Sequence, residues 1–200
     1  MNKNSLNGIL YALFLAIILA ANPANATEKK IFSAIYTYEI EKTDIMPSSI
    51  RPDPQEPVSW LMIEFSKAQA QKFSELTKAN QGRSIAIMVN DHLISTPTLM
   101  DHITGSHQSF PIKDDAPESL RSKLDDLDRL EFFIVEAHFT LPSDMMLPAA
   151  QPSFDLALKD DMRTTLCESP HIFLFEDDVL IAKSTKCNQE TILFHHIQSP

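Results

Sequence analysis

Residues 65–97, FSKAQAQKFSELTKANQGRSIAIMVNDHLISTP, read as the end of a strand, a helix, a strand, a tight turn and a returning strand. Ser66 is a favourable helix N-cap, with Gln69 three residues on as in a capping box, and Phe65 and Ala70 stand where a hydrophobic staple closes the first turn. Ala70, Phe73, Leu76 and Thr77 then fall on one helical face. Gly82 supplies the freedom that a left-handed helix exit requires. Beyond it, Ile85, Ile87 and Val89 alternate with Ala86 and Met88, so both faces of this strand are apolar and it belongs inside a sheet. Asn90-Asp91 suits a tight turn because both residues tolerate positive φ. His92 to Thr96 forms the return strand.

Working outward, residues 31–41 (IFSAIYTYEIE) alternate Phe32, Ala34, Tyr36, Tyr38 and Ile40 against Ile31, Ser33, Ile35, Thr37 and Glu39, which predicts a strand with one buried face. Thr43 to Pro57 holds Pro47, Pro52, Pro54 and Pro57 and reads as an extended loop, since proline cannot donate to a ladder. Val58 to Phe65 resumes as a strand. Leu99–Thr104 and Gln108–Ile112 are short strand candidates. Asp114 or Asp115 caps a second predicted helix with Pro117 in its first turn and Leu120, Leu124 and Leu127 as its apolar stripe. Residues 130–200 read as an all-β extension: 130–141, 154–158, 172–175, 179–183 and 191–197 are rich in strand formers, with Glu176-Asp177-Asp178 turning one hairpin.

The central stretch resembles the head part of the first periplasmic domain of the SecD/SecDF protein-export subunits. The residues that carry the resemblance are Phe73, Leu76, Thr77, Gly82, Arg83, Ile85 to Ile87, Val89, Ser95, Pro97 and Ile103 to Gly105, within roughly residues 57–127. His92 and Ser106 stand where that family favours glycine. The resemblance implies an α+β fold and a part in contacting proteins that emerge from the export channel. The expected architecture is α+β: a mixed or antiparallel sheet with helices at about 67–80 and 115–128, followed by a β-rich C-terminal region. The expected division is a signal peptide over 1–26, the head-like domain over 27–129 and the extension over 130–200.

Lys3, the apolar run from Ile9 to Ala21 and Ala24-Asn25-Ala26 read as a signal peptide with cleavage between Ala26 and Thr27, an uncleaved anchor being the competing reading. The run is shorter than the ~20 residues of a permanent membrane helix. The expected location is therefore the periplasm, with no membrane span in the mature chain. The formal net charge of −10 disfavours nucleic acid and anionic lipid as partners. With three glycines in all, the chain has no material for a phosphate-cradling loop. Two cysteines in an exported chain, Cys167 and Cys187, predict a disulfide.

No pattern specifies catalysis. His92, His102 and His107 lie near Asp91 and Asp101 but show no zinc-binding spacing, and adjacent His195 and His196 point to opposite faces of a strand. The paired aspartates at 114–115, 125–126, 160–161 and 177–178 read as solvated, and no G-x-S-x-G elbow occurs. The expectation is no catalytic residue, metal or cofactor. Met145, Met146 and Leu147, in a Pro-bounded loop, are the candidate partner-binding residues, because methionine adapts to varied apolar surfaces. The reading is a non-enzymatic periplasmic interaction module that holds a protein client or envelope partner in export. The alternative is a small hydrolase or metal-dependent enzyme on the same scaffold.

Overall fold

The computed structural model describes residues 27–41, 45–52, 58–113, 127–148, 151–188 and 190–197. Their elements run β1 (Lys29–Glu41), β2 (Ile45–Pro52), β3 (Val58–Phe65), α1 (Lys67–Ala79), β4 (Ser84–Val89), β5 (His92–Ser95), β6 (His107–Lys113), β7 (Arg129–Leu141), β8 (Ser153–Ala157), α2 (Asp160–Cys167), β9 (His171–Glu176), β10 (Val179–Cys187) and β11 (Thr191–His196). An eight-stranded sheet has the order β5-β4-β7-β1-β9-β10-β11-β8, and a three-stranded sheet the order β2-β3-β6. All their pairings are antiparallel.

The larger sheet closes on itself. β5, at one edge, also pairs with β10 through His92 and Val179. Leu93 N–H donates to the Asp178 carbonyl at 2.8 Å and Leu180 N–H to the Asp91 carbonyl at 2.7 Å. The closure joins two hairpin tips, Asn90-Asp91 and Asp177-Asp178, and all four residues have positive φ (46°, 69°, 48° and 62°). That is the geometry of the hairpin turns whose twist matches the flanking strands, and Asn and Asp accept it most readily after Gly. Arg129 pairs with the Asp91 carboxylate, while Lys30 lies 2.9 Å from both Asp178 and Glu28. Burial works against the Lys30 charge, but hydrogen bonds to Asp178 and Glu28 outweigh it and raise its pKa above the ordinary lysine value.

Six strands thus enclose a barrel interior to which each contributes: Phe32 and Ala34, Ala86 and Met88, Leu93, Phe133 and Val135, Phe173 and Phe175, and Leu180. β4 lies between β5 and β7 and its apolar residues are buried on both faces, as the double-sided pattern of 85–89 requires. At the same level as Met88, Glu131 is buried and its carboxylate pairs with Lys183 at 3.2 Å. Lys183 also stands 5.4 Å over the Phe173 ring.

Two outer flanks are covered separately. α1 and the three-stranded sheet cover one, where Phe65, Phe73, Phe110 and Phe132 meet Ile85, Ile87 and Val89. Ser66 caps α1 by accepting the Gln69 N–H at 3.3 Å, and Phe65 meets Phe73 edge-on at 5.4 Å. Phe73 and Thr77 are buried while Lys72 and Glu75 face solvent, as the helical spacing predicts. Gly82 falls one step later than expected. It occupies the third position of a turn closed by Arg83 N–H to the Asn80 carbonyl, at φ +81°. The second flank is covered by α2, β8 and β11, around Ile31, Leu174, Leu166, Ile192 and Phe194.

Several expectations need correction. The single buried face of β1 does not exist, because the strand changes face midway. Ser33 opposes Ala137, Ala34 opposes Val135 and Tyr36 opposes Ile134, so Ile35 and Glu136 are each left over as a bulge. One extra residue moves every later side chain to the other face. Phe32 and Ala34 therefore fill the barrel, Tyr38 and Ile40 pack outside it under α1, and Ile35 and Tyr36 are exposed.

Within the Pro-rich loop of 43–57, Ile45–Pro52 is a strand. It is an edge strand, Pro47 falls where its register slips and Pro52 is its last residue, which are positions proline tolerates. Leu99–Thr104 is irregular, tied to β4 by the bridge between Ser84 and Thr98. The extension is not all β, since Asp160–Cys167 is helical, with Asp160 and Asp161 complementing its N-terminal dipole. The predicted helix at 115–128 lies outside the described residues except for Leu127 and Asp128, which are not helical. In the larger sheet β1 lies between β7 and β9.

Candidate functional site

Met145, Met146 and Leu147 belong to a strap, residues 142–148, that runs from the end of β7 across one end of the second flank. Met145 N–H donates to the Pro142 carbonyl at 3.0 Å, which turns the strap at its start. Lys29 Nζ reaches the Ser143 carbonyl at 3.3 Å and lies 3.8 Å from Glu176. At the other end His196 is wedged between two carbonyls, with Nε2 3.2 Å from the Pro148 oxygen and Nδ1 3.3 Å from the Ile181 oxygen. Its ring also meets Phe154 at 4.9 Å.

The three candidate residues do different things. Met145 and Leu147 point inward and pack on the second flank, so they fasten the strap. Met146 points outward and is 92 % exposed, while the other large exposed methionine, Met100, lies far away in sequence on the α1 side. Beside Met146 the strap borders a cleft of about 430 Å³, walled by Lys29, Glu176, Leu180, Ile181, His196 and Ile197. The site combines apolar side chains with one lysine, Lys29, and two carboxylates, Asp144 and Glu176. Leu180 and Ile181 on β10 and Ile197 just after β11 were hidden in sequence, because residues in or beside a strand show no sign of a neighbouring cleft. His196 carried a partial signal: it faces inward as the alternation predicts, and His195 faces solvent.

The remaining histidines stay apart. His92 is buried with Nδ1 3.0 Å from the Asn90 carbonyl oxygen, His102 lies 3.2 Å from Asp101, and His107 lies 3.6 Å from Glu64. The backbone N–H and then the ring of His102 hold the Asp101 carboxyl below its ordinary pKa. Among the described residues no three His, Cys, Asp or Glu side chains gather as a metal would need. A second hollow, of about 410 Å³, lies between α1 and the 102–105 loop and is lined by Gln71, Ser74, Glu75, Lys78 and His102. Its lining mixes polar and apolar groups much as the cleft beside Met146 does.

Cys167, at the end of α2, and Cys187, at the end of β10, lie at disulfide distance with Cα atoms 5.9 Å apart. Closing the 20-residue separation is expected to contribute on the order of 3 kcal/mol through the unfolded chain. Urea melts with and without reductant measure it. The barrel should survive reduction, because none of its interior residues depends on α2.

Comparison with known proteins is consistent with the geometry of the first flank. The family model described as SecDF, P1 head subdomain matches residues 18–117, which hold β1 to β6 and α1. No curated protein and no solved structure matches. The matched segment is half of the chain, and it contains the strand–helix–strand–turn–strand core from Phe65 to Ser95 on which the resemblance rested. On that evidence the chain belongs to the SecDF P1 head subdomain family.

Proposed function

We propose that this protein is a non-enzymatic interaction module of the cell envelope that takes part in protein export by holding a protein client or partner. Membership of the SecDF head family carries this reading, because SecDF proteins are components of the export machinery. The signal-peptide features of residues 1–26 support an exported, periplasmic location. Among the described residues no helix is long and apolar enough to cross a membrane. The strap supplies a contact point of the right kind: an exposed methionine on a fastened loop offers an adaptable apolar tip without requiring the core to open.

Replacing Met146 with a photo-crosslinking amino acid tests the reading in cells. The expected result is crosslinked products that include secretory precursors and that diminish when export substrates are depleted. The same probe at Lys72, on the exposed face of α1, should give few. Equal yields at both positions, or products with no exported protein among them, would remove the strap from the function.

A further inference from the structure

β8 ends the eight-stranded sheet and, among the described strands, is bonded only to β11. Its register states which backbone groups are left over. His196 N–H donates to the Pro152 carbonyl at 3.1 Å, so residues 152, 154 and 156 direct their polar backbone groups at β11. The far side of β11 agrees: Ile197 N–H donates to the Ile181 carbonyl at 3.0 Å, so its odd-numbered residues face β10. Ser153, Asp155 and Ala157 therefore turn their N–H and C=O groups outward, at the spacing of a ladder, and no described strand lies on that side.

Native edges are blunted by short length, charged side chains, a bulge, a proline or an inward-pointing charge, and of these β8 has a length of five residues and one charge. β8 runs in unbroken register, its inward side chains Phe154 and Leu156 are buried, and its lone charge, Asp155, is exposed on the outer face. Thr191 Oγ1 donates to the Asp155 carboxylate at 3.0 Å and fixes its position.

We propose that β8 is a docking edge for an extended polypeptide segment, which adds a strand antiparallel to it and sets a basic side chain opposite Asp155. Charge complementarity selects this occupant. Opposite charges facing each other across a ladder stabilise the pair and like charges oppose it. A second copy of the chain paired about Asp155 would set two carboxylates together, and the chain as a whole carries a net charge of −10. The inference goes beyond the export reading and does not rest on it: β8 lies outside residues 18–117, the segment that the family model matches.

The test uses the full chain and two capped peptides, one alternating lysine with valine and one alternating glutamate with valine. Calorimetric titration should show the lysine peptide binding about tenfold or more tightly than the glutamate peptide. Bound lysine peptide should slow amide hydrogen exchange at Ser153, Asp155 and Ala157 by about tenfold or more, leaving Phe154 and Leu156 unchanged. Asp155→Lys should reverse the preference between the peptides. Asp155→Pro removes an N–H that β11 does not use, and should abolish binding of both peptides while the melting temperature confirms folding. Should that proline variant fail to fold, the exchange protection at 153, 155 and 157 together with the Asp155→Lys reversal still decides.

Lysine-peptide binding without protection at 153, 155 and 157 would reduce the interaction to surface charge and overturn the proposal. So would the same protection arising without peptide as protein concentration rises, which would assign the edge to a second copy. Absence of binding would close the edge altogether. The Met146 crosslinks report on the export reading separately, so either idea fails without the other.

Discussion

Truncating Phe73 to alanine should destabilise the protein by about 3–5 kcal/mol, the range for deleting a buried phenylalanine ring. The ring is 1 % exposed and touches three others: Phe132 at 4.7 Å, Phe65 at 5.4 Å and Phe110 at 6.4 Å. It thereby ties α1, β3 and β6 to β7 through one side chain. A loss of that size is a large part of the ~5–15 kcal/mol by which a domain is usually stable. Lys72→Ala and Glu75→Ala, on the exposed face of the same helix, should each change stability by less than about 0.5 kcal/mol. Urea melts of the three variants measure the contrast. Equal stability of Phe73→Ala and Lys72→Ala would mean that α1 does not lie as described.

Phe133→Ala should cost about as much, 3–5 kcal/mol, from a different place. Phe133 is fully buried in the barrel interior, stacked on Phe173 at 4.4 Å and meeting Phe32 edge-on at 5.9 Å. Because β7 and β9 both pair with β1 on opposite sides, this stack bridges two strands that do not pair with each other. A double-mutant cycle of Phe133 and Phe173 should give a coupling of about 0.5–1.5 kcal/mol, the increment for aromatic pairs beyond burial alone. Coupling indistinguishable from zero would mean the barrel interior is not packed ring on ring. The Phe73 and Phe133 losses should be nearly additive, since the two rings occupy opposite faces of the sheet.

The local chemistry of α1 and β4 was legible in sequence because neighbours along the chain determine it. The Ser66 cap, the 70–73–77 face, the double-sided strand at 85–89 and the turn at Asn90-Asp91 depend on spacing within about four residues. The same applies to the Asp177-Asp178 turn. For the candidate site, Met146 was legible as an exposed apolar tip, whereas the inward roles of Met145 and Leu147 were not. Exposure there depends on whether the strap lies over other strands, which is a matter of contacts remote in sequence.

The sequence by itself thus determined the antiparallel strands of the central motif, the helix that follows Ser66 and the family resemblance. Tertiary structure alone decided the rest. The face change in β1 arises from bulges, and a bulge is defined by the count of residues on the partner strand, not by those in its own. Ile45–Pro52 became a strand because β3 offered an edge where its prolines need no partner. The closing contact between the two hairpin tips joins residues 92 and 179, and no local pattern encodes that meeting. The cleft beside Met146 likewise exists only once β1, the strap, the β9–β10 hairpin and the end of β11 are brought together, because its walls come from these four separate parts of the chain.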